Sequence, residues 1–218
     1  MKAQEIFNIL RAGGLTRAGS LGMIGNMYAE STLKENIAQR GATKLTDEQY
    51  TAAADNSLLD FANDSVGYGL CQWTLNARKK ALLTFAKENG VSVGDGPMQV
   101  NFCLKELTED FSSVYDTLCT SDSIDECADL ICIRFEMPAV NNLEDRRNFA
   151  HQAEALTADQ TYTPPIKNPI SATFPPDPSV FILQMVMQYN GYWEQPDGYK
   201  SKEFFASLRR FTADMEGC

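Results

Sequence analysis

A single histidine, His151, is the chain's whole supply of imidazole, and none of its six cysteines stands in a CxxC pair. The ligand sets of common zinc sites are therefore missing, and neither a metal nor any other cofactor is expected. Basic residues are also scarce, 19 against 29 acidic, for a formal net charge of −10. Nucleic-acid binding draws its affinity from clustered Lys and Arg, so that partner is not expected. No stretch reaches the ~18 apolar residues of a membrane span. The start, Met1-Lys2-Ala3-Gln4-Glu5-Ile6-Phe7, has no apolar signal core. These absences predict a protein made in the cytoplasm, not inserted in a membrane, with its thiols reduced.

What is present is an ordinary globular composition over 218 residues, 44% hydrophobic and 22% charged. That length suits one medium catalytic domain with a small appendage, and a core of this size needs no staple. A carbohydrate polymer stays open as a partner, because sugars are read by hydrogen bonds and stacking rather than by net charge.

Apolar spacing predicts a mainly helical chain. Ile6, Phe7 and Leu10 mark a short first helix, stopped at Gly13-Gly14. Thr16 caps a second that runs to about Ser31, with Leu21, Ile24 and Tyr28 on one stripe. Its Gly22, Gly25 and Ala29 invite a close neighbour. Residues 35 to 72 are polar and aperiodic, which reads as loop and short β-hairpin, and a long irregular stretch of this kind is usually functional. Helices resume over Arg78 to Asn89, Pro97 to Thr108, Ser123 to Glu136 (opened by a capping box and stopped by Pro138) and Leu143 to Leu156. Six prolines between Tyr162 and Pro178 then form a semi-rigid linker. The expected domains are 1–160, a linker at 161–178, and a helical tail at 179–218.

The chemistry centres on Glu30. It follows Met27 by three residues and Met23 by seven, so all three share one side of the helix. It also lies in the last turn, at the negative end of the helix dipole. Both surroundings disfavour an ionised carboxylate, and a carboxyl that keeps its proton is what leaving-group protonation in glycoside cleavage needs. On spacing alone, a solvated helix-end glutamate fits better. Downstream stands Asp64-Ser65-Val66-Gly67-Tyr68-Gly69-Leu70-Cys71-Gln72-Trp73-Thr74. Its glycines let backbone approach a ligand. Gln72 offers amide donors and an acceptor, while Tyr68 and Trp73 offer flat faces for a sugar ring. A hairpin with core aromatics is the alternative.

Together these blocks resemble the phage tail lysozyme family, of the lysozyme-like superfamily. The resemblance rests on Glu30-Ser31 closing a glycine-bearing helix, then Gly67 to Trp73 and the basic Arg78-Lys79-Lys80. Gln99 to Leu107, Phe135-Glu136-Met137-Pro138 and Asp145 to Ala150 complete it. The Gly67–Gln72 block is also similar to that of goose-type lysozymes and lytic transglycosylases, and in goose-type enzymes an aspartate stands where Asp64 does. The resemblance implies a lysozyme-like α+β catalytic domain, its cleft lined by a short β-hairpin, acting on peptidoglycan glycan strands. It assigns the general acid to Glu30 and a second carboxylate to Asp64, with Asp55 and Asp60 as rivals. Tyr68, Gln72, Trp73 and Thr74 would bind substrate. Glu136 suits a structural role about equally, and His151 reads as a surface residue. The tail, with Leu183-Gln184, Gly191-Tyr192 and Asp197-Gly198, resembles a small helical peptidoglycan-binding module. A simple helical hairpin is the alternative. The expected setting is a monomeric enzyme at the bacterial cell wall, as a lysin or as part of a longer tail protein. Hydrolysis is expected, with transglycosylation or a non-catalytic wall-binding role as alternatives.

Overall fold

The computed structural model describes residues 1–158. The Pro-rich segment 161–178 and the tail 179–218 lie outside the described residues. The described part is mainly helical: α1 (Ala3–Ala12), α2 (Arg17–Ser31), α3 (Asp47–Asp55), α4 (Asn76–Glu88), α5 (Gly96–Glu109), α6 (Ser112–Leu118), α7 (Ile124–Ile131) and α8 (Leu143–Leu156), with a π-helical turn, Cys132–Glu136, extending α7.

The fold is organised around α2. The Thr16 side chain accepts from the Gly19 amide and fixes its start, and Thr32, in the left-handed region, ends it. The expected single apolar stripe is wrong for this helix. Every residue from Ala18 to Met27 is buried, which is the pattern of a helix enclosed on all sides. Leu21, Ile24 and Met27 each contribute ~1.5–3 kcal/mol of hydrophobic stabilisation on burial. Helices α7 and α8 lie against α2, and the glycines set how close they come. A Cβ on Gly22 would stand 2.8 Å from the Ala128 amide nitrogen, and one on Gly25 would stand 2.5 Å from the Arg146 carbonyl oxygen. Ala29, grouped with them from the sequence, is exposed instead.

Close approach excludes water, so polar groups at the junction must satisfy one another. Asn26 does this. Its amide donates to the Gly22 and Ala128 carbonyls, both at 2.9 Å, and its oxygen accepts from Arg146 at 2.9 Å. One buried side chain thereby links α2, α7 and α8.

The segment between α2 and α4 departs from expectation in two ways. First, it contains α3, opened by a capping box in which Thr46 and Gln49 serve each other's backbone amides. Second, the β-hairpin is not seen. Tyr68 forms isolated antiparallel bridges to Ala38 and Trp73, and there is no strand among the described residues. Gln99 from α5 clamps this loop instead. Its carbonyl accepts from the Leu70 amide at 2.9 Å, and its NH2 donates to Glu35 and Val93 carbonyls.

Candidate functional site

A cleft of about 390 Å³ lies where the end of α2, the Gly67–Leu75 loop, α4 and the π-helical turn meet. Glu30, Gln72, Thr74, Arg78 and Glu136 bring its polar groups, and Leu75, Met137 and Pro138 its apolar ones.

Glu30 reaches the cleft because it is the penultimate residue of α2, just where the helix emerges from the core. Its carboxylate accepts from Arg146 Nη2 at 2.6 Å, with the two side chains 18% and 5% exposed. The apolar setting expected from Met23 and Met27 is therefore incomplete. Both methionines are buried, but a guanidinium from α8 also faces the carboxylate. That guanidinium is pinned. Asn26 takes one donor and the Asn141 carbonyl accepts from Nε at 3.0 Å. Arg146 shares the buried face of α8 with apolar Ala150 and Ala153. A charge on a buried stripe was the available signal that a buried partner must exist.

Glu136 is the second carboxyl in this cleft. The π-helical turn ends at Met137, whose φ of 47° places it in the left-handed region, so Glu136 sits at the point where the helix breaks. Such turns are frequent at functional sites. Glu136 is partly exposed as a residue, yet its Oε1 is buried and has no hydrogen-bond partner. Burial pushes its carboxyl up to about 8, and the Glu30 carboxylate adds to the rise; Arg78, Cys71 and Arg146 oppose it. Arg78 is committed elsewhere. It grips Glu106 with Nε at 2.6 Å and Nη2 at 2.9 Å, and donates to the Phe135 carbonyl.

The other expected site residues divide between the cleft and the core. Gln72 and Thr74 line the cleft. Gln72 adopts φ 45°, held by hydrogen bonds to Gly69 and Ile37 carbonyls, and Thr74 Oγ1 donates to the Gln72 carbonyl at 2.9 Å. Trp73 borders the cleft but is only 1% exposed, and its indole donates to Glu106 at 2.9 Å. Its flat face is packed against protein. Tyr68 is wholly buried, its hydroxyl 2.6 Å from Thr51 Oγ1, so the sugar-facing ring expected there is a core ring.

Asp64 does not line this cleft. It pairs with Lys79, whose side chain is completely buried, and it accepts from the Tyr50 hydroxyl at 2.5 Å and the Val66 amide at 3.0 Å. Of its rivals, Asp55 accepts from Ser92 Oγ and the Val93 amide, and Asp60 from Asn63. His151 is an exposed residue beside Asp125.

Residues 1–156 match the sequence profile of the phage tail lysozyme family. Over 153 aligned residues the chain is 28% identical to Morphogenesis protein 1 of Bacillus phage B103, an alignment covering 67% of this chain and 36% of that protein. The chain thus spans about a third of that relative's length.

Proposed function

Because this chain belongs to the phage tail lysozyme family, and because its helix-end glutamate opens onto a polar cleft, we propose that it cleaves the β-1,4 bond between N-acetylmuramic acid and N-acetylglucosamine, with Glu30 as general acid. The observation that carries this reading is the placement of Glu30. It stands in a cleft walled by Gln72 and Thr74, on a helix packed against α7 and α8.

In the proposed reaction the Glu30 proton passes to the bridging oxygen as the C1–O bond breaks. Positive charge builds on the sugar, and the Glu30 carboxylate left by that transfer stabilises it. Water then adds to C1 and its proton restores the Glu30 carboxyl. Gln72 and Thr74 position the sugar or the water. Arg146 keeps the Glu30 side chain in one orientation, so no reorganisation is needed at the moment of transfer. The substrate is peptidoglycan and the working place the bacterial cell wall. The name of the phage B103 relative, Morphogenesis protein 1, supports a role in phage morphogenesis.

A second reading has its own observation. Asp64 is engaged by Lys79, Tyr50 and Val66, which favours a route needing one glutamate alone. In that route the muramic acid's own 6-hydroxyl attacks C1, giving a 1,6-anhydro product. Mass spectrometry of digested sacculi separates the two: reducing-end muramic acid supports hydrolysis, and anhydro-muropeptides overturn it.

Glu30→Gln tests the acid. The expected loss in clearing a cell-wall suspension is about 100-fold or more, because general acid catalysis contributes roughly 10²–10⁴. Equal rates for variant and parent would remove the enzymatic reading and leave a wall-binding tail component.

A further inference from the structure

Two carboxyl groups share the cleft, and only one has a hydrogen-bonded cation. Glu30 holds Arg146. Glu136 holds none, and its Oε1 is buried without a partner. An ionised carboxylate in that position would leave a desolvated charge beside a second negative charge, which is among the most costly arrangements in a protein. A proton on Glu136 removes the cost. Resting on the reading of Glu30 as the acid, we propose that Glu30 and Glu136 hold one proton between them, and that Glu136 acts as a positioning residue that sets the pH range in which Glu30 can donate.

The groups facing Glu136 come from every neighbouring element. They are Glu30 from α2, Cys71 from the cleft loop, Arg78 from α4 and Arg146 from α8. Two further thiols, Cys103 of α5 and Cys132 of its own turn, also feel its charge. Both arginines are already committed. Arg78 is bound bidentately by Glu106, and Arg146 is divided among Asn26, Asn141 and Glu30. Neither has swung toward Glu136, so the cations limit its proton affinity without cancelling it.

The consequence for Glu30 follows from charge. A second carboxyl that turns negative when the pair loses a proton makes that loss harder. The protons then come off in two steps that belong to the pair rather than to either residue. The second leaves only when both carboxylates must be charged together, and activity fails there.

The experiment has two arms. In the first, the glutamate carboxyl carbons of the full chain are followed by ¹³C NMR against pH, with assignment from Glu136→Gln. One carboxyl is expected to titrate near 8, and its midpoint should fall by roughly one to three units in Glu30→Gln. Titration of every glutamate in the ordinary acidic range, or a midpoint unchanged in Glu30→Gln, overturns the proposal. This arm needs no catalysis, so it stands or falls apart from the assignment of enzyme function.

The second arm compares pH–rate profiles. Glu136→Gln is expected to retain parent-like turnover at its acidic optimum, with the alkaline limb moved down by roughly one to three units. An unchanged profile would mean that Glu136 only fills space. Loss of activity at every pH in a folded variant would make it the proton donor itself. Either result overturns the proposal. Should the variant not fold, the titration of the parent and of Glu30→Gln still decides.

Discussion

Asp64 and Lys79 show how one side chain can carry a different duty from the one its sequence neighbourhood suggests. Lys79 projects from α4 into the core with no exposure, where its ammonium donates to Asp64, Tyr50 and the Val66 carbonyl. It also lies 4.2 Å from the centroid of the Phe61 ring. Burial pushes its proton affinity down, and the Asp64 carboxylate pushes it back up. Asp64→Asn should therefore cost ~3–5 kcal/mol, the penalty for stranding one member of a buried pair. Urea unfolding reads that loss. Activity per folded molecule should be unaffected in the cold. A variant with normal stability and much reduced kcat would instead place Asp64 in the chemistry. The acidic residue before the glycine block was legible in the sequence; its buried lysine partner was not. Lys79 read as one of three consecutive basic residues, and only the α4 packing turns it inward.

At the scale of elements, α2 decides the geometry of the site. Its Thr16 cap and its end near Ser31 follow from local chemistry and were readable. So was Leu143–Leu156, where apolar spacing matches the observed helix. Helix α3 was missed although its capping box, Thr46 to Gln49, is a local signal. Its buried face is only Tyr50 and Ala54, too narrow to give a period. The π-helical turn was equally hidden. A regular helix to Glu136 and an α-helix followed by a wider turn have the same sequence pattern. Yet that turn is what brings Glu136 to the cleft beside Glu30. The junction of α2 with α8 can be tested through Gly25→Ala. The added methyl meets the Arg146 carbonyl and the Ala150 backbone, which a small rotation cannot clear. Overpacking of ~1–3 kcal/mol should exceed the gain in helix propensity of ~1 kcal/mol. A lower urea midpoint is expected. Because Arg146 orients Glu30 from α8, turnover should fall as well. A midpoint at or above the parent's would show that the helices can separate freely.

For the whole molecule, the raised proton affinity of Glu136 becomes a dependence of stability on pH. Its folded-state value of about 8 lies above the ordinary 4.5. Between those limits the folded protein keeps a proton that the unfolded chain has released, so stability falls as pH rises. The contribution is complete below the unfolded value and gone above the folded one. Its slope reaches at most ~1.4 kcal/mol per pH unit. Glu136→Gln removes it, so the melting temperature of the variant relative to the parent should climb steadily from pH 5 to pH 8. A constant difference across that range would mean that Glu136 is ionised in the folded protein.

The sequence by itself determined the mainly helical class, the helix ends set by caps and glycines, the family, and the candidacy of Glu30. These rest on local periodicity, on backbone preferences and on ordered blocks, all of which a linear string contains. Tertiary structure decided which polar residues meet. It buried Tyr68 and the face of Trp73, tied Asp64 to Lys79, and set Arg146 on Glu30. It also left Glu136 Oε1 buried in the cleft without a hydrogen-bond partner. The reason is physical. Whether a charge is matched depends on neighbours brought from far along the chain, as Arg146 is to Glu30 across 116 positions. No local pattern encodes that meeting; the packing of α7 and α8 on α2 does.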